Sequence, residues 1–365
     1  MIIQRDNLSK IGGAEKYTWR LVNAFAKKGP LTLLTSNSSL PSTRDYTVIN
    51  YKKSHLLRHR RIEGFDQFCR RTVVEKNSSI VFGMGRTSLQ THLRASDGVH
   101  AAYLERRARV EGKLRALSFT ISPFHHTILE IEKCAYESKE LRRLYTNSEM
   151  VKQEIIRYYK TDPAKICVVH NGIEWHEKED AFELSFEKKR EEYQFLFIGN
   201  GYKRKGLELL LRALHLLPES NFFLSVLGKD REIGYFQTLT KKLKLDKKVH
   251  FFGQVSDPTP FYQHADTLVI PSLYDPFANV TLEALAMGLF VISSPFNGGS
   301  EILTHNTGLI IENLFDLDAI KASLQQALRR PKTFSSALSI RRSIQHLDFS
   351  NQLKIITDDV LNGIS

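Results

Sequence analysis

PSLYDPFANVTLEALAMG, residues 271–288, is the stretch that decides the fold. It follows an apolar run at residues 267–270, which predicts a buried strand ending near Pro271. Asp275 then lies in a loop, and a helix is predicted from Asn279 onward, with a second acid, Glu283, one turn in. A strand, a loop and a helix in this order form the repeating unit of a doubly wound α/β sheet.

The same alternation of strand and helix continues in both directions. An amphipathic helix is predicted for residues 14–28 and another for residues 207–217. Apolar runs that predict further strands recur at residues 31–35, 79–82, 166–169, 195–198, 222–227, 249–253 and 290–293. Continuous apolar strands between helices are typical of parallel sheets that are covered on both faces.

Two such series predict two domains. We assign residues 1–172 to the first domain, which a C-terminal helix at about 345–365 rejoins, and residues 173–344 to the second. A linker is predicted in the charged segment 174–192. The expected fold class is α/β, with two Rossmann-like domains facing a central cleft, because such sheets bind ligands at the carboxyl ends of their strands.

The charge distribution and the cysteine content limit the kinds of partner and site that we expect. Residues 1–170 carry 30 Lys and Arg against 16 Asp and Glu, whereas residues 171–365 carry 22 against 24. The excess positive charge therefore lies in the first half, which predicts an anionic partner there. Three cysteines without a CxxC pair argue against a zinc site and fit a reducing cytoplasm. No apolar run is long enough to span a bilayer.

Two stretches of the second half have chemistry suited to a phosphorylated ligand. The amides of Asn279, Val280 and Thr281 would form a helix N-terminus able to hold phosphate, with Glu283 about 6 Å further along the axis. Gly199-Asn200-Gly201-Tyr202-Lys203-Arg204-Lys205-Gly206 is a glycine-rich turn with cations. Taken separately, a capped helix with an N-terminal acid and a solvated basic turn remain adequate explanations.

Two features of the first half are weaker. Gly12-Gly13 follows the first short strand and would let the backbone approach a ligand closely, although an ordinary turn explains it too. Asp97 and His100 lie in the predicted loop Asp97-Gly98-Val99-His100, where a histidine on its own is more often structural.

Taken together, these motifs resemble the retaining family-four glycosyltransferases of GT-B fold, and the resemblance covers nearly the whole chain. Residues 275–283 match the family's pair of acids separated by seven residues, with Asp275 where Glu is common. The resemblance implies that Asp275 contacts the donor sugar and Glu283 the ribose. It also implies that Phe277, Ala278 and the three amides line the donor site, and that Gly228 and His250 line the nucleobase pocket.

The resemblance further implies the roles of the remaining motifs. Arg204 and Lys205, beside Gly199, would neutralise the departing diphosphate, so no metal or other cofactor is expected. Gly12 and Gly13 would lie beside the donor phosphate. His100, with Asp97 behind it, would sit at the acceptor end as a candidate catalytic residue. The finer similarity is to glucosyltransferases of the lipopolysaccharide core, which implies UDP-glucose as the donor.

The basic first half then predicts the partners. Arg and Lys cluster at residues 52–71 and 106–115, and apolar side chains interleave with the first cluster, as suits an anionic membrane face. A solvated helix face is the alternative explanation. We expect a monomer on the cytoplasmic face of the inner membrane, acting on a lipid-linked or lipopolysaccharide-core acceptor. No zinc finger, RRM-like signature or helix-turn-helix pattern is found that would support nucleic-acid binding. A different glycan acceptor, a GT-B nucleotide-sugar epimerase, and a basic membrane- or nucleic-acid-binding module without catalysis remain alternatives.

Overall fold

The computed structural model describes residues 1–8, 13–36, 42–52, 56–186, 192–217 and 220–362, and for residues 13–16 it describes the backbone alone. Within these residues the chain divides into two compact units. Unit 1 comprises residues 1–170 and 352–365, and unit 2 comprises residues 171–351. The domain boundaries expected from the sequence were 172/173 and 344/345. Each unit is built on its own parallel sheet.

Parallel strands form both sheets. The strands are β1 Ile2–Gln4, β2 Leu31–Thr35, β3 Tyr46–Asn50, β4 Val81–Gly83, β5 His92–Ala95, β6 Arg143–Thr146 and β7 Ile166–Val168 in unit 1, and β8 Tyr193–Ile198, β9 Phe222–Leu227, β10 Val249–Gly253, β11 Thr267–Ile270, β12 Phe290–Ser293 and β13 Gly308–Ile310 in unit 2. The strand order is β3-β2-β1-β4-β5-β6-β7 in the first sheet and β10-β9-β8-β11-β12-β13 in the second. The predicted α/β class with two doubly wound sheets is confirmed.

Helices connect the strands in both units. They are α1 Gly13–Ala26, α2 Arg58–Lys76, α3 His100–Glu111, α4 Lys113–Thr120, α5 Pro123–Tyr136, α6 Glu149–Tyr158, α7 Glu179–Glu183, α8 Leu207–His215, α9 Ile233–Lys242, α10 Thr259–His264, α11 Asn279–Ala286, α12 Leu317–Leu328, α13 Phe334–Ser343 and α14 Phe349–Asn362. Short 3-10 helices cover Pro163–Lys165, His176–Lys178, Leu184–Phe186, Gly298–Ile302 and Gln345–Leu347. No helix among the described residues is both long and apolar enough to cross a membrane.

Burial of the central strands and helices accounts for the apolar runs and the helical periodicity seen in the sequence. Phe195, Leu196 and Phe197 of β8 are all fully buried, as expected of a strand whose two faces are both covered by helices. In α8 the buried leucines recur at Leu207, Leu210, Leu211 and Leu214, which is the spacing of one helical face.

The predicted linker at residues 174–192 is wrong for residues 174–186, which belong to unit 2. Residues 187–191 of this segment lie outside the described residues. Trp175 is buried in unit 2, where its carbonyl accepts a 2.8 Å hydrogen bond from Arg341. Helix α7 and two 3-10 helices follow it. Charge misled this prediction, because the charged side chains lie on the exposed faces of short helices whose apolar residues, such as Phe182, join the core.

The last helix begins in unit 2 and ends in unit 1. Asp359 of α14 accepts hydrogen bonds from Arg143, at 3.0 and 3.2 Å, and from the Tyr145 hydroxyl at 2.5 Å, and both partners belong to β6. These contacts hold the end of the chain against the sheet of unit 1.

Candidate active site

The strand order in the sheet of unit 2 reverses between the neighbouring strands β8 and β11. From β8 the order runs through β9 to β10 on one side, and from β11 through β12 to β13 on the other. Crossover helices leave the sheet on opposite faces at such a switch point, which opens a crevice at the carboxyl ends of the two strands. The two loops that follow these strands, residues 199–206 and 271–278, carry the predicted cations and the first predicted acid.

Glycines allow these two loops to pack against each other. Gly206 has a φ of +79°, and a Cβ there would lie 1.9 Å from the Pro271 carbonyl oxygen. A Cβ on Gly199 would lie 3.0 Å from the methylene stem of Lys205. The Leu273 amide also donates a 2.8 Å hydrogen bond to the Arg204 carbonyl. The glycines are therefore required for Lys205 to reach the second loop.

The cations meet the acid in this packed arrangement. The Lys205 ammonium donates to Asp275 Oδ2, and Arg204 lies 3.4 Å from the same oxygen and 3.0 Å from the Tyr274 carbonyl. Asp275 Oδ1 accepts a 3.2 Å bond from the Phe277 amide. Burial alone would raise the pKa of Asp275, but Lys205 and Arg204 outweigh it and hold that pKa below its usual range.

Both carboxylate oxygens of Asp275 are thus engaged by the protein. The side chain lies where it fixes the two cations, with Lys205 and Asp275 both 7% exposed. A contact between Asp275 and the donor sugar stays a prediction. Aspartate rather than glutamate fits this arrangement, because the shorter side chain keeps its carboxylate close to its own loop.

The N-terminus of α11 is set by a residue that the sequence analysis did not single out. Asn297 is fully buried, and its Oδ1 accepts 3.0 Å hydrogen bonds from the amides of Ala278 and Gly299. Its amide nitrogen lies 3.4 Å from Thr281 Oγ1. The first-turn amides of Asn279 and Val280 have no intrahelical acceptor, as at any helix start. The sequence signal was available, since Asn297-Gly298-Gly299 follows the end of β12 after three residues, in a loop with a proline.

The second acid is also held by an unpredicted partner. Glu283 Oε2 accepts a 2.6 Å hydrogen bond from the hydroxyl of Tyr262, which is 1% exposed. Tyr262 belongs to α10, whose short sequence, Thr-Pro-Phe-Tyr-Gln-His, contains no motif that marks this tyrosine. No sequence pattern distinguishes it, because its partner lies 21 residues away.

Gly228 and His250, the two residues predicted to line the nucleobase pocket, lie at different distances from the switch point. Gly228 follows β9 with a φ of +119°, and a Cβ there would lie 2.2 Å from the Gly199 carbonyl oxygen, so Gly228 lies beside the switch point. His250 is the second residue of β10, exposed, with its ring stacked on Phe223. At about 3.3 Å per residue, it lies roughly 10 Å before the carboxyl end of its strand. The structure does not bring His250 to this site.

His100 belongs to unit 1, and its predicted loop position is wrong. It is the first residue of α3, because Val99 is extended and acts as the N-cap. Its backbone amide donates to the Glu132 carboxylate at 3.0 and 3.2 Å, and its Nε2 lies 2.9 Å from Nδ1 of His125. Burial, followed by the nearby Arg86, lowers the pKa of His100 to about 3, so the ring is neutral at pH 7.

Two further predicted residues, Asp97 and Gly13, lie among the described residues of unit 1. Asp97 lies 3.9 Å from Arg5, and Gly13 is the first residue of α1. Gly12 lies outside the described residues. Their predicted roles at the donor phosphate and the acceptor stay predictions. No three His, Cys, Asp or Glu side chains of the described ranges come together in a way that could hold a metal ion.

Two family profiles match the chain. Residues 11–176 match the profile described as Glycosyltransferase Family 4, and residues 178–340 match the profile described as Glycosyl transferases group 1. Their boundary lies close to the division between the two units at residues 170 and 171.

Individual relatives agree with these profiles. An uncharacterized glycosyltransferase of Methanocaldococcus jannaschii is 35% identical over 182 residues, which are 47% of this chain and 46% of that protein. The lipopolysaccharide glucosyltransferase WaaG of Escherichia coli is 27% identical over 238 residues, 62% of each chain. The match therefore spans about half to under two thirds of these relatives' lengths.

A solved structure extends the likeness to the whole fold. The crystal structure of WaaG, described as a glycosyltransferase involved in lipopolysaccharide biosynthesis, matches with a TM-score of 0.81 at 21% identity. The match covers 98% of this chain and 99% of that one. It confirms the GT-B fold that the motifs predicted.

Proposed function

We propose that this chain, which belongs to the family-four glycosyltransferases, is a retaining hexosyltransferase that uses a nucleotide-sugar donor and no metal ion. The observation that carries the proposal is the cation pair at the switch point of unit 2. Lys205 and Arg204 are fixed by Asp275 four residues before the N-terminus of α11. A diphosphate is the ligand whose charge suits two cations and a helix N-terminus.

The departing nucleoside diphosphate gains negative charge as the sugar leaves. Lys205, Arg204 and the amides of Asn279 and Val280 would stabilise that charge without a metal, because preorganised donors need no rearrangement during the reaction. Tyr262 holds one oxygen of Glu283, and we assign the ribose hydroxyls to its other oxygen.

We assign no residue as a covalent nucleophile, so we propose that the acceptor attacks the donor sugar directly. The acceptor hydroxyl oxygen attacks the anomeric carbon on the face from which the diphosphate leaves. The bond between that carbon and the phosphate oxygen breaks, and its electron pair stays on the phosphate. A phosphate oxygen then takes the proton of the acceptor hydroxyl, and the anomeric configuration is retained.

We assign UDP-glucose as the donor and a lipid-linked or lipopolysaccharide-core glycan as the acceptor. The relative named lipopolysaccharide glucosyltransferase supports both assignments. A membrane partner is supported by α4 and the residue after it, whose side chains Leu114, Leu117 and Ile121 are 90%, 62% and 74% exposed. Lys113 and Arg115 lie beside them. Exposed apolar residues flanked by cations suit the cytoplasmic face of an anionic membrane.

Donor turnover tests the catalytic proposal. EDTA-treated protein is assayed with UDP-, GDP- and ADP-hexoses as donors. The variants Arg204→Ala, Lys205→Ala and Glu283→Ala are then compared with the control Lys203→Ala, which removes an exposed cation of the same loop as Arg204 and Lys205. We expect turnover of UDP-glucose that needs no metal and falls in the first three variants alone. Wild-type rates in those three would refute the site, and an absolute need for Mg²⁺ or Mn²⁺ would refute metal independence.

The same assay separates the alternatives. A product that is a free sugar or an epimer, formed at full rate without any acceptor, would assign the chain to the epimerases. Donor binding without turnover would assign it to binding modules.

Co-sedimentation with vesicles tests the membrane assignment. We expect binding to phosphatidylglycerol vesicles but not to phosphatidylcholine vesicles, and weaker binding by the Leu114→Ser/Leu117→Ser variant. Phe315→Ser, at an exposed aromatic residue of unit 2, is the control. Equal binding to both lipids, or by the double variant and the control, would refute the assignment.

A further inference from the structure

The sheet of unit 1 has a switch point of its own. Its strand order runs from β1 through β2 to β3 on one side and from β4 through β5 to β7 on the other. A cavity of about 320 Å³ lies at the carboxyl ends of β1 and β4, which is where doubly wound sheets bind ligands. Its volume is near the lower end of the range for small-molecule pockets, so it suits a single sugar residue with a substituent.

Four arginines line this cavity. Arg5 follows β1, Arg86 follows β4, and Arg58 and Arg61 lie three residues apart at the start of α2, where they share one helical face. Asp6 and Asp97 also line the cavity, so its lining carries a net charge of +2. The cavity therefore favours an anion.

Only part of this positive charge is neutralised by ion pairs. Arg5 lies 3.9 Å from Asp97, and Nε of Arg86 lies 3.8 Å from the buried Glu132 carboxylate. Arg58 stacks over the Phe124 ring at 4.2 Å. Within the described ranges neither Arg58 nor Arg61 forms an ion pair.

One residue that lines the cavity has a buried polar atom without a hydrogen-bond partner. Oε1 of Gln4 is buried, and among the described residues it has no hydrogen-bond partner. Gln4 is fully buried, and its amide nitrogen donates to the Leu89 carbonyl at 3.2 Å, which fixes the side chain. Burying such an atom unpaired is costly, so a ligand that pairs it is favoured. Gln4 Oε1 is an acceptor for a hydroxyl group.

We propose that this cavity binds an acidic sugar of the acceptor glycan, with the four arginines on its phosphate or carboxylate and Gln4 on a hydroxyl. Arginine suits this role, because its planar guanidinium can pair with both oxygens of either anion. The assignment of this sugar to the acceptor rests on the proposed function, whereas the recognition of an acidic sugar rests on the cavity alone.

Titration of the full-length chain with three monosaccharides tests the proposal. The probes are mannose 6-phosphate, galacturonate and neutral mannose, with Kd measured by calorimetry. The Arg58→Gln/Arg61→Gln variant is matched by Arg70→Gln/Arg71→Gln, which removes the same charge from exposed positions of the same helix outside the cavity. We expect at least one acidic sugar to bind the wild type about tenfold or more tightly than mannose. We also expect the first variant alone to lose about tenfold or more of that affinity, since charge-assisted hydrogen bonds are among the stronger ones.

The outcomes separate cleanly. Binding of mannose 6-phosphate alone identifies the anion as a phosphate, and binding of galacturonate alone identifies it as a carboxylate. Equal affinity for mannose, or equal losses in the two double variants, would overturn the proposal in favour of a general basic surface. Transfer of glucose from UDP-glucose to an added lipopolysaccharide-core acceptor by the wild type, measured in parallel, reports on the proposed function independently. Acidic-sugar binding without any transfer would refute the transferase and leave this site standing.

Discussion

The two units have the same sheet topology at their switch points, but their charges differ there. In unit 2 the carboxylate of Asp275 lies between Lys205 and Arg204, and the loops around it are closely packed at Gly199, Gly206 and Gly228. In unit 1 four arginines face two aspartates around an open cavity. The topology creates a ligand-binding edge in both units, whereas the loop residues decide which ligand suits it.

The largest effect is expected at the buried ion pair of unit 2. Lys205→Ala removes the cation closest to Asp275 and leaves that carboxylate buried with a single charged partner. We expect turnover to fall at least about a hundredfold and the free energy of unfolding to fall by about 3 kcal/mol. Steady-state kinetics and urea unfolding measure the two changes.

Lys203→Ala is the control, because Lys203 is exposed in the same loop. Equal turnover by Lys205→Ala and Lys203→Ala would show that the charge of Lys205 does not contribute to catalysis. Unit 2 would then differ from unit 1 in loop packing alone.

The packing difference has its own matched pair of variants. In Gly228→Ala a Cβ would lie 2.2 Å from the Gly199 carbonyl, in a backbone conformation with φ near +119°. We expect a loss of about 3 kcal/mol in the free energy of unfolding. In Gly85→Ala the new methyl group would lie 3.5 Å from the Arg5 side chain, an ordinary contact, so we expect a change within about 1 kcal/mol. Similar melting temperatures for the two variants would contradict the contrast in loop packing.

The buried acid of unit 1 should make stability depend on pH. Burial raises the pKa of Glu132 from 4.5 to about 7, although Arg86 opposes the shift. The stability that this raised pKa contributes is therefore present below the unfolded pKa of 4.5 and is lost as the pH rises through about 7. Glu132→Gln cannot titrate, so its stability relative to wild type should rise by roughly 3 kcal/mol across this range.

Urea unfolding of both proteins at several pH values measures the Glu132 prediction. A difference between wild type and Glu132→Gln that stays constant with pH would show that Glu132 remains ionised beside Arg86. The arginine charge of unit 1 would then be more nearly neutralised than we propose.

The smallest effect concerns the second acid of unit 2. Tyr262→Phe removes the hydroxyl that donates to Glu283 at 2.6 Å. We expect the free energy of unfolding to fall by about 1 kcal/mol and the KM for the donor to rise about threefold, because Glu283 loses the bond that orients it. A fall in kcat at constant KM would instead assign Glu283 to the chemical step.

Several features were predictable because their causes are local. The run of residues 271–288 contains a strand, a loop and a helix start, and the apolar periodicity of β8 and α8 follows from burial of the faces described above. The turn with Arg204 and Lys205 was singled out only in combination with the other motifs, because a solvated basic turn would explain it when taken alone. These residues were therefore predicted from neighbours close in the chain.

Contacts between distant segments were decided by the tertiary structure. The bond between Lys205 and Asp275 spans 70 residues, and Asn297 reaches back 19 residues to the start of α11. The role of His250 was implied by the family resemblance alone, and only the strand register of the tertiary structure shows how far the residue lies from the carboxyl edge. The arginine cavity joins residues that follow β1 and β4 with the start of α2.

The sequence by itself determined that this protein has two doubly wound units, and it predicted which loops would bind phosphate, because periodicity and glycine turns act over a few residues. Only the tertiary structure decided that Asp275 is engaged by two cations while four arginines surround a cavity in the other unit. Charge balance depends on distances between side chains, and sheet topology sets those distances across segments that the chain order keeps apart.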